Sequence, residues 1–283
     1  MRRRDAQRSQ RPPFLHHSFA GAGIGFENEC LSILVNTLIH DSHALTLALI
    51  GAALIGAAKA GLAGCGLASV VLFAEAFGAK ASTGVVLPLL IAADFMGYAL
   101  LRRGGGTWRQ IWPLVPPGCV GVVIGAMLLN LMDDHLAHHV IGWLILSLIA
   151  LKLLLDWKRE RLADLHRHPV FVWSLGMAAG VATMLANAAG PVMTVYLLAH
   201  RFGKGDYLGI FTRFFLFMNL FKVPFSAGIG LITGPSLLTN LLLLPAVVVG
   251  VWLGWQIVKV MSQRVFEWVV FVFALVAALR LVW

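Results

Sequence analysis

The sequence predicts an all-α polytopic membrane protein of two inverted repeats, whose broken helices or helical hairpins meet at mid-membrane. Three observations carry this expectation. Of 283 residues, 59% are hydrophobic and 12% charged, and the mean hydropathy is +0.83; a soluble chain carries about 25% charged residues. The apolar stretches are long and continuous, unlike the short alternating segments of a membrane β-barrel. Two of them are interrupted, at Lys59-Ala-Gly-Leu-Ala-Gly-Cys-Gly66 and at Asn187-Ala-Ala-Gly-Pro191. Paired interruptions in the two halves of a chain point to a transporter's binding site.

Residues 1–43 are expected to be a basic N-terminal tail, disordered or lying on the membrane surface. Arg2, Arg3 and Arg4 open it, and Glu27, Asn28, Glu29, His40 and Asp41 dilute its apolar residues. It lacks the clean apolar core of a signal peptide. A first transmembrane repeat follows over 44–157. Its opening apolar run is broken at Gly61, Gly64 and Gly66, so 44–60 and 64–78 are read as two short crossing helices or a hairpin. Residues 81–101 are long enough, at ~1.5 Å per residue, to cross a ~30 Å hydrocarbon core, and they carry Asp94 near their middle. A basic, glycine-rich loop at 102–109 precedes a span at 110–132. That span holds Pro113, Pro116 and Pro117 near its start, then Gly121-x-x-x-Gly125, a close-packing signal. An acidic turn, Asp133-Asp134-His135, leads to a span at 138–155 that ends in charged residues 156–161.

Residues 169–283 repeat this plan. A shift of about 125 positions places Gly51 on Gly176, Gly78 on Gly203, Gly84 on Gly209, Gly125 on Gly250 and Asp94 on Asn219. With the basic loops 102–109 and 158–167 on the cytoplasmic side, the acidic turn falls outside. The uncharged loop at 233–236 then also falls outside, and Lys259–Arg264 inside. Equivalent loops thus lie on opposite sides, the signature of an inverted repeat. The GxxxG pairs Gly121/Gly125 and Gly250/Gly254 are expected to pack helices, either within one chain or between the two copies of a homodimer.

The formal charge is +9, from 22 Lys+Arg against 13 Asp+Glu. Basic loops beside anionic lipid account for this excess, with a contribution from an anion-attracting pathway, so nucleic acid is not an expected partner. Cys30, Cys65 and Cys119 have no zinc or redox spacing. No nucleophile–base pair, metal cluster or phosphate loop is present. The chain is therefore read as a non-enzyme with no catalytic residue, no metal and no cofactor, and its expected partners are a small anionic substrate and membrane lipid.

Candidate site residues follow from the cost of polarity in lipid. Backbone groups exposed at a helix break must be satisfied by protein, water or ligand. The N-terminal end of a helix attracts anions through free N–H groups and about half a positive charge. Gly61, Gly64, Cys65 and Gly66 at the first break, and Asn187 and Gly190 at the second, are therefore expected to bind substrate. The segment Thr212-Arg-Phe-Phe-Leu-Phe-Met-Asn-Leu-Phe-Lys222 adds Thr212, Asn219 and Lys222 on one helical face, with Arg213 about 100° from Thr212. Intramembrane charges mark functional sites by default. Lys59 and Asp94 are read as an ion pair or a coupling site, with Lys222 an alternative partner for Asp94.

The segments Lys59–Gly66 and Gly84–Asp94, followed by Asn187–Pro191 and Thr212-Arg213…Asn219…Lys222-Val-Pro224, resemble the two repeats of the TauE/SafE family of anion permeases. The resemblance covers about 44–283. It implies a bacterial cytoplasmic-membrane permease moving sulfite, sulfonates, sulfoacetate or related small sulfur anions, in which the two breaks, Thr212, Asn219 and Lys222 match the family pattern. Many members carry His-Ala-Gly-Gly-Pro-Pro at the second break. Here the sequence is Asn187-Ala-Ala-Gly-Pro-Val192, which lacks the titratable donor. The expected mode of transport is alternating access. The competing reading is a membrane scaffold or sensor subunit that binds an anionic ligand without moving it.

Overall fold

A computed structural model describes residues 42–62, 65–101, 105–157, 168–200, 202 and 204–260. Most of the expected N-terminal tail, Gly64, Arg102, Arg103, the charged loop 158–167 and the last expected span therefore lie outside the described residues. Among the described residues every regular element is a helix. In chain order these are α1 (Ser42–Lys59), α2 (Cys65–Phe77), α3 (Ala79–Leu101), α4 (Trp108–Ile111), α5 (Val115–Leu131), α6 (Asp134–Trp157), α7 (Pro169–Ala186), α8 (Gly190–Ala199), α9 (Lys204–Gly228) and α10 (Gly234–Val260). Six of them, α1, α3, α6, α7, α9 and α10, are long and apolar enough to cross a membrane, and α2 and α5 are shorter apolar helices.

Both expected breaks are real ends of helices. At the first, Gly61 takes φ 116°, and Leu62 N–H reaches back to Ala57 O at 3.2 Å. At the second, Asn187 caps α7 in the left-handed region (φ 52°, ψ 28°), and Ala188 N–H bonds Ala182 O at 3.3 Å. Both are αL-type helix stops; after Gly, Asn is the residue that adopts this conformation most readily. The chain then turns back. Gly51 lies beneath Phe73 and Gly66 faces Ala58, so α1 and α2 form an antiparallel hairpin, stitched by Ser69 Oγ donating to Gly51 O at 2.9 Å. The open end of this hairpin lies beside the start of α3, where Gly78 (φ 86°) meets Asp134. The later break is turned the other way: Tyr196 Oη on α8 donates to Gln110 O near the opposite end of α3.

The expected span at 110–132 is divided. Trp112, Pro113 and Leu114 form a turn between α4 and α5, because Pro113 lacks the N–H that a continuous helix requires. Pro116 and Pro117 instead sit in the first turn of α5, where a missing N–H costs nothing. The next span starts earlier than expected, at Asp134, beside the acidic turn. Lys80 Nζ closes this region by donating to Met132 O at 2.6 Å.

Glycine fixes the helix crossings, and both GxxxG pairs are used inside one chain. A methyl at Gly250 would collide with Ala53 O, and one at Gly254 would lie 2.8 Å from Ala57 Cα, so α10 packs backbone to backbone on α1. On the other side, Gly121 abuts Met177 O and Gly180 abuts Gly118 O, which locks α5 to α7. Helix α3 runs antiparallel to α9, with Gly84 against Leu231 and Gly97 against Thr212. Gly106 N–H, in the loop after α3, bonds Asp206 Oδ1 at 2.7 Å. Apolar side chains such as Met127, Leu131, Leu241 and Trp252 face outward, as a chain solvated by lipid requires. Gly250→Ala is expected to destabilise the protein by about 1–3 kcal/mol through this overpacking. Gly228→Ala, where nothing lies within 4 Å, is expected to leave the unfolding temperature in detergent unchanged.

Candidate functional site

The two breaks meet at one cavity. It is bordered by Lys59, Gly66 and Ser69 from the first hairpin, by Thr183, Asn187 and Gly190 from the second break, and by Phe215 and Asn219 of α9. Its volume is about 50 Å³. That is room for a few waters, each needing roughly 10–15 Å³, or for one small ion. Residues Gly66 and Gly190 lie in the first turns of α2 and α8. The leading N–H groups of a helix have no partner inside it, so both short helices present their positive ends here.

These two glycines differ from those at the helix crossings. A methyl at Gly66 would meet only Ala58 Cβ at 3.9 Å, and one at Gly190 only Phe211 at 3.9 Å. Close packing therefore does not account for them. Their small size keeps the cavity open and its backbone approachable.

Two buried ammonium groups and one carboxylate surround the cavity. Lys59 at the end of α1 pairs with Asp94 of α3, Nζ to Oδ1 2.6 Å, and lies 4.6 Å from the centroid of the Phe215 ring, a favourable cation–π distance. The second carboxylate oxygen, Oδ2, accepts from Asn219 Nδ2 at 2.6 Å. Asp94 and Asn219, matched by the repeat register, are thus in direct contact. Lys222 is 1% exposed and donates to Thr183 O at 2.9 Å, Thr183 Oγ1 at 3.1 Å and Asn187 Oδ1 at 2.5 Å. It therefore caps the carbonyl end of α7, where a cation is favoured by the helix dipole. Asn187 Nδ2 in turn donates to Thr83 O at 3.0 Å.

Of the residues expected from sequence, Lys59, Gly66, Asn187, Gly190 and Asn219 border the cavity. Lys222 and Asp94 stand directly behind this lining, bonded to members of it. Gly61 and Cys65 form the turn and the helix start without bordering it; Gly64 lies outside the described residues. Thr212 is buried against Gly97 at the α3–α9 crossing. Arg213 is also buried, but its Nη1 donates to Gly209 O at 2.9 Å and its guanidinium carbon lies 5.3 Å from the Tyr98 ring centroid. It faces the loop at 105–106 rather than the cavity. Sequence reasoning missed Thr183, Ser69 and Phe215. Thr183 was accessible, being one helical turn before Asn187 in an otherwise apolar run; Phe215 has no signal that separates it from lipid-facing phenylalanines.

Removing one member of a buried ion pair strands the other charge, at a cost of about 3–5 kcal/mol. Asp94→Asn and Lys59→Met are each expected to lower the unfolding temperature markedly. The double variant is expected to lose less than the sum of the two, a coupling that a double-mutant cycle in detergent would measure.

No curated protein and no solved structure matches the chain. The sequence model of the family described as sulfite exporter TauE/SafE matches residues 48–281. That match spans both breaks and every residue at the cavity. With its apolar helices, the chain is a multi-pass membrane protein and belongs to the TauE/SafE sulfite exporter family, a family of transporters.

Proposed function

We propose that the chain is a permease of the bacterial cytoplasmic membrane that moves a small sulfur-containing anion, of sulfite, sulfonate or sulfoacetate type, by alternating access. The observation that carries this reading is the convergence of both helix breaks on one cavity, with Gly66 and Gly190 leaving their helix N-termini open to it. Two ammonium groups against one carboxylate leave a surplus positive charge beside the cavity, which favours an anionic occupant. In this reading the anion lies between the leading amides of α2 and α8. Lys59 and Lys222 supply field, and Asn187 and Asn219 supply orientation. Gly61 and Cys65 form the turn and helix start beside it, and Thr212 and Arg213 pack α9 against α3.

The repeats are proposed as 44–157 and 169–283, inverted with respect to one another. Support comes from the opposed directions of α2 and α8 after the two breaks, from Asp94 meeting Asn219, and from the paired crossings α1–α10 and α5–α7. The large halves then rock about the α3–α9 contact while the cavity opens to alternate sides.

Flux in liposomes of purified protein tests the reading, with sulfite, sulfate, thiosulfate, taurine, isethionate, sulfoacetate and matched carboxylates as cargo. Flux of sulfur anions, absent in empty liposomes, is the expected result. Binding without flux would favour a non-transporting anion-binding subunit. Lys222→Ala is expected to reduce flux to background while the protein remains folded, and normal flux would remove Lys222 from the site. Gly66→Ala and Gly190→Ala meet no steric obstacle, so they are expected to keep the unfolding temperature and to weaken anion binding by filling the cavity.

A further inference from the structure

The amide of Asn219 is 0% exposed and borders the cavity. Its orientation is set by chemistry. Nδ2 lies 2.6 Å from Asp94 Oδ2, and the other oxygen of that carboxylate is held by Lys59 at 2.6 Å. An ion-paired carboxylate only accepts, so the NH₂ end of Asn219 must face it. The amide oxygen, Oδ1, is thereby turned away from Asp94, and no described group donates to it. A buried amide oxygen without a donor is costly.

None of the polar side chains around it reaches Oδ1. Lys222 spends its three N–H bonds on Thr183 and Asn187. Asn187 Nδ2 is bonded to Thr83 O, and Ser69 Oγ to Gly51 O. Among the described groups none donates to Asn219 Oδ1, and the residue that carries it borders the cavity.

We infer that the occupant is a monoanion carrying its own O–H or N–H group, and that Asn219 Oδ1 is the residue that reads it. This rests on the anion-site reading given above. The oxyanion end faces the amide ends of α2 and α8 and the Lys59 ammonium, and the donor end faces Asn219. A fully deprotonated oxyanion presents only lone pairs and would set oxygen against oxygen at Asn219. Hydrogensulfite-type ions and small amino- or hydroxy-substituted sulfonates satisfy both ends; ions without an O–H or N–H group do not.

Sulfamate and methanesulfonate make a near-isosteric test. Both are monoanions with three sulfonyl oxygens, and they differ in an amino against a methyl group. Binding to the detergent-purified protein is measured by ligand-induced stabilisation. Sulfamate is expected to bind about tenfold or more tightly than methanesulfonate, and the difference is expected to vanish in Asn219→Ala. Equal affinities on the unaltered protein, or tighter binding of methanesulfonate, would overturn the inference while leaving the anion site intact. No stabilisation by either ligand or by sulfite would overturn the anion site itself and this inference with it. The comparison on the unaltered protein decides the matter even if Asn219→Ala does not fold.

Discussion

A helix that stops inside an apolar environment exposes carbonyls at one end and N–H groups at the next, and both must find partners. The arrangement around the cavity answers this constraint. At the end of α7 the partner is Lys222, whose ammonium takes the Thr183 carbonyl and the Asn187 side chain. Asn187 itself adopts the left-handed conformation that ends the helix, so one residue both stops α7 and helps to bind the cation at its carbonyl end. The N-terminal ends of α2 and α8 are treated differently. They are left facing the cavity, which Gly66 and Gly190 keep open.

The polar bonds also divide the molecule. The Lys59–Asp94 ion pair lies entirely in the first half of the chain, and the Lys222 cluster entirely in the second. The hydrogen bonds between the halves include Asn219 to Asp94, Asn187 to Thr83, Gly106 to Asp206 and Tyr196 to Gln110, with Lys59 over Phe215 and Arg213 over Tyr98 as cation–π contacts. Each half is therefore stiffened internally by a buried cation, while the bonds joining the halves carry less Coulomb energy.

Much of this was legible in the sequence. Glycines marked the first break and Asn187, Gly190 and Pro191 the second, because a bilayer-spanning helix tolerates interruption only where something satisfies it. Subtracting residue numbers paired Asp94 with Asn219, and the two side chains touch. What the sequence did not carry was depth and rotation. Arg213 shares a helix with Asn219 and Lys222, yet it bonds to Gly209 and faces Tyr98, because the partner helix presents a different surface at that level. Periodicity gives the angle around one helix and says nothing of what stands opposite. The span at 110–132 was read as continuous for a related reason: its apolar character persists through Pro113, although the backbone cannot continue there.

The glycine crossings have a consequence for how the protein tolerates variation. Where α10 meets α1 and α5 meets α7, no side-chain layer separates the backbones at Gly250, Gly121 and Gly180. These contacts have no rotamer to adjust, so they cannot absorb even a methyl by local rearrangement. The outward faces bearing Leu131, Leu241 and Trp252 need only remain apolar. Sequence drift is thus confined by geometry to the lipid side, and the inner seams are held to the smallest residue by steric exclusion rather than by any direct role in handling the anion.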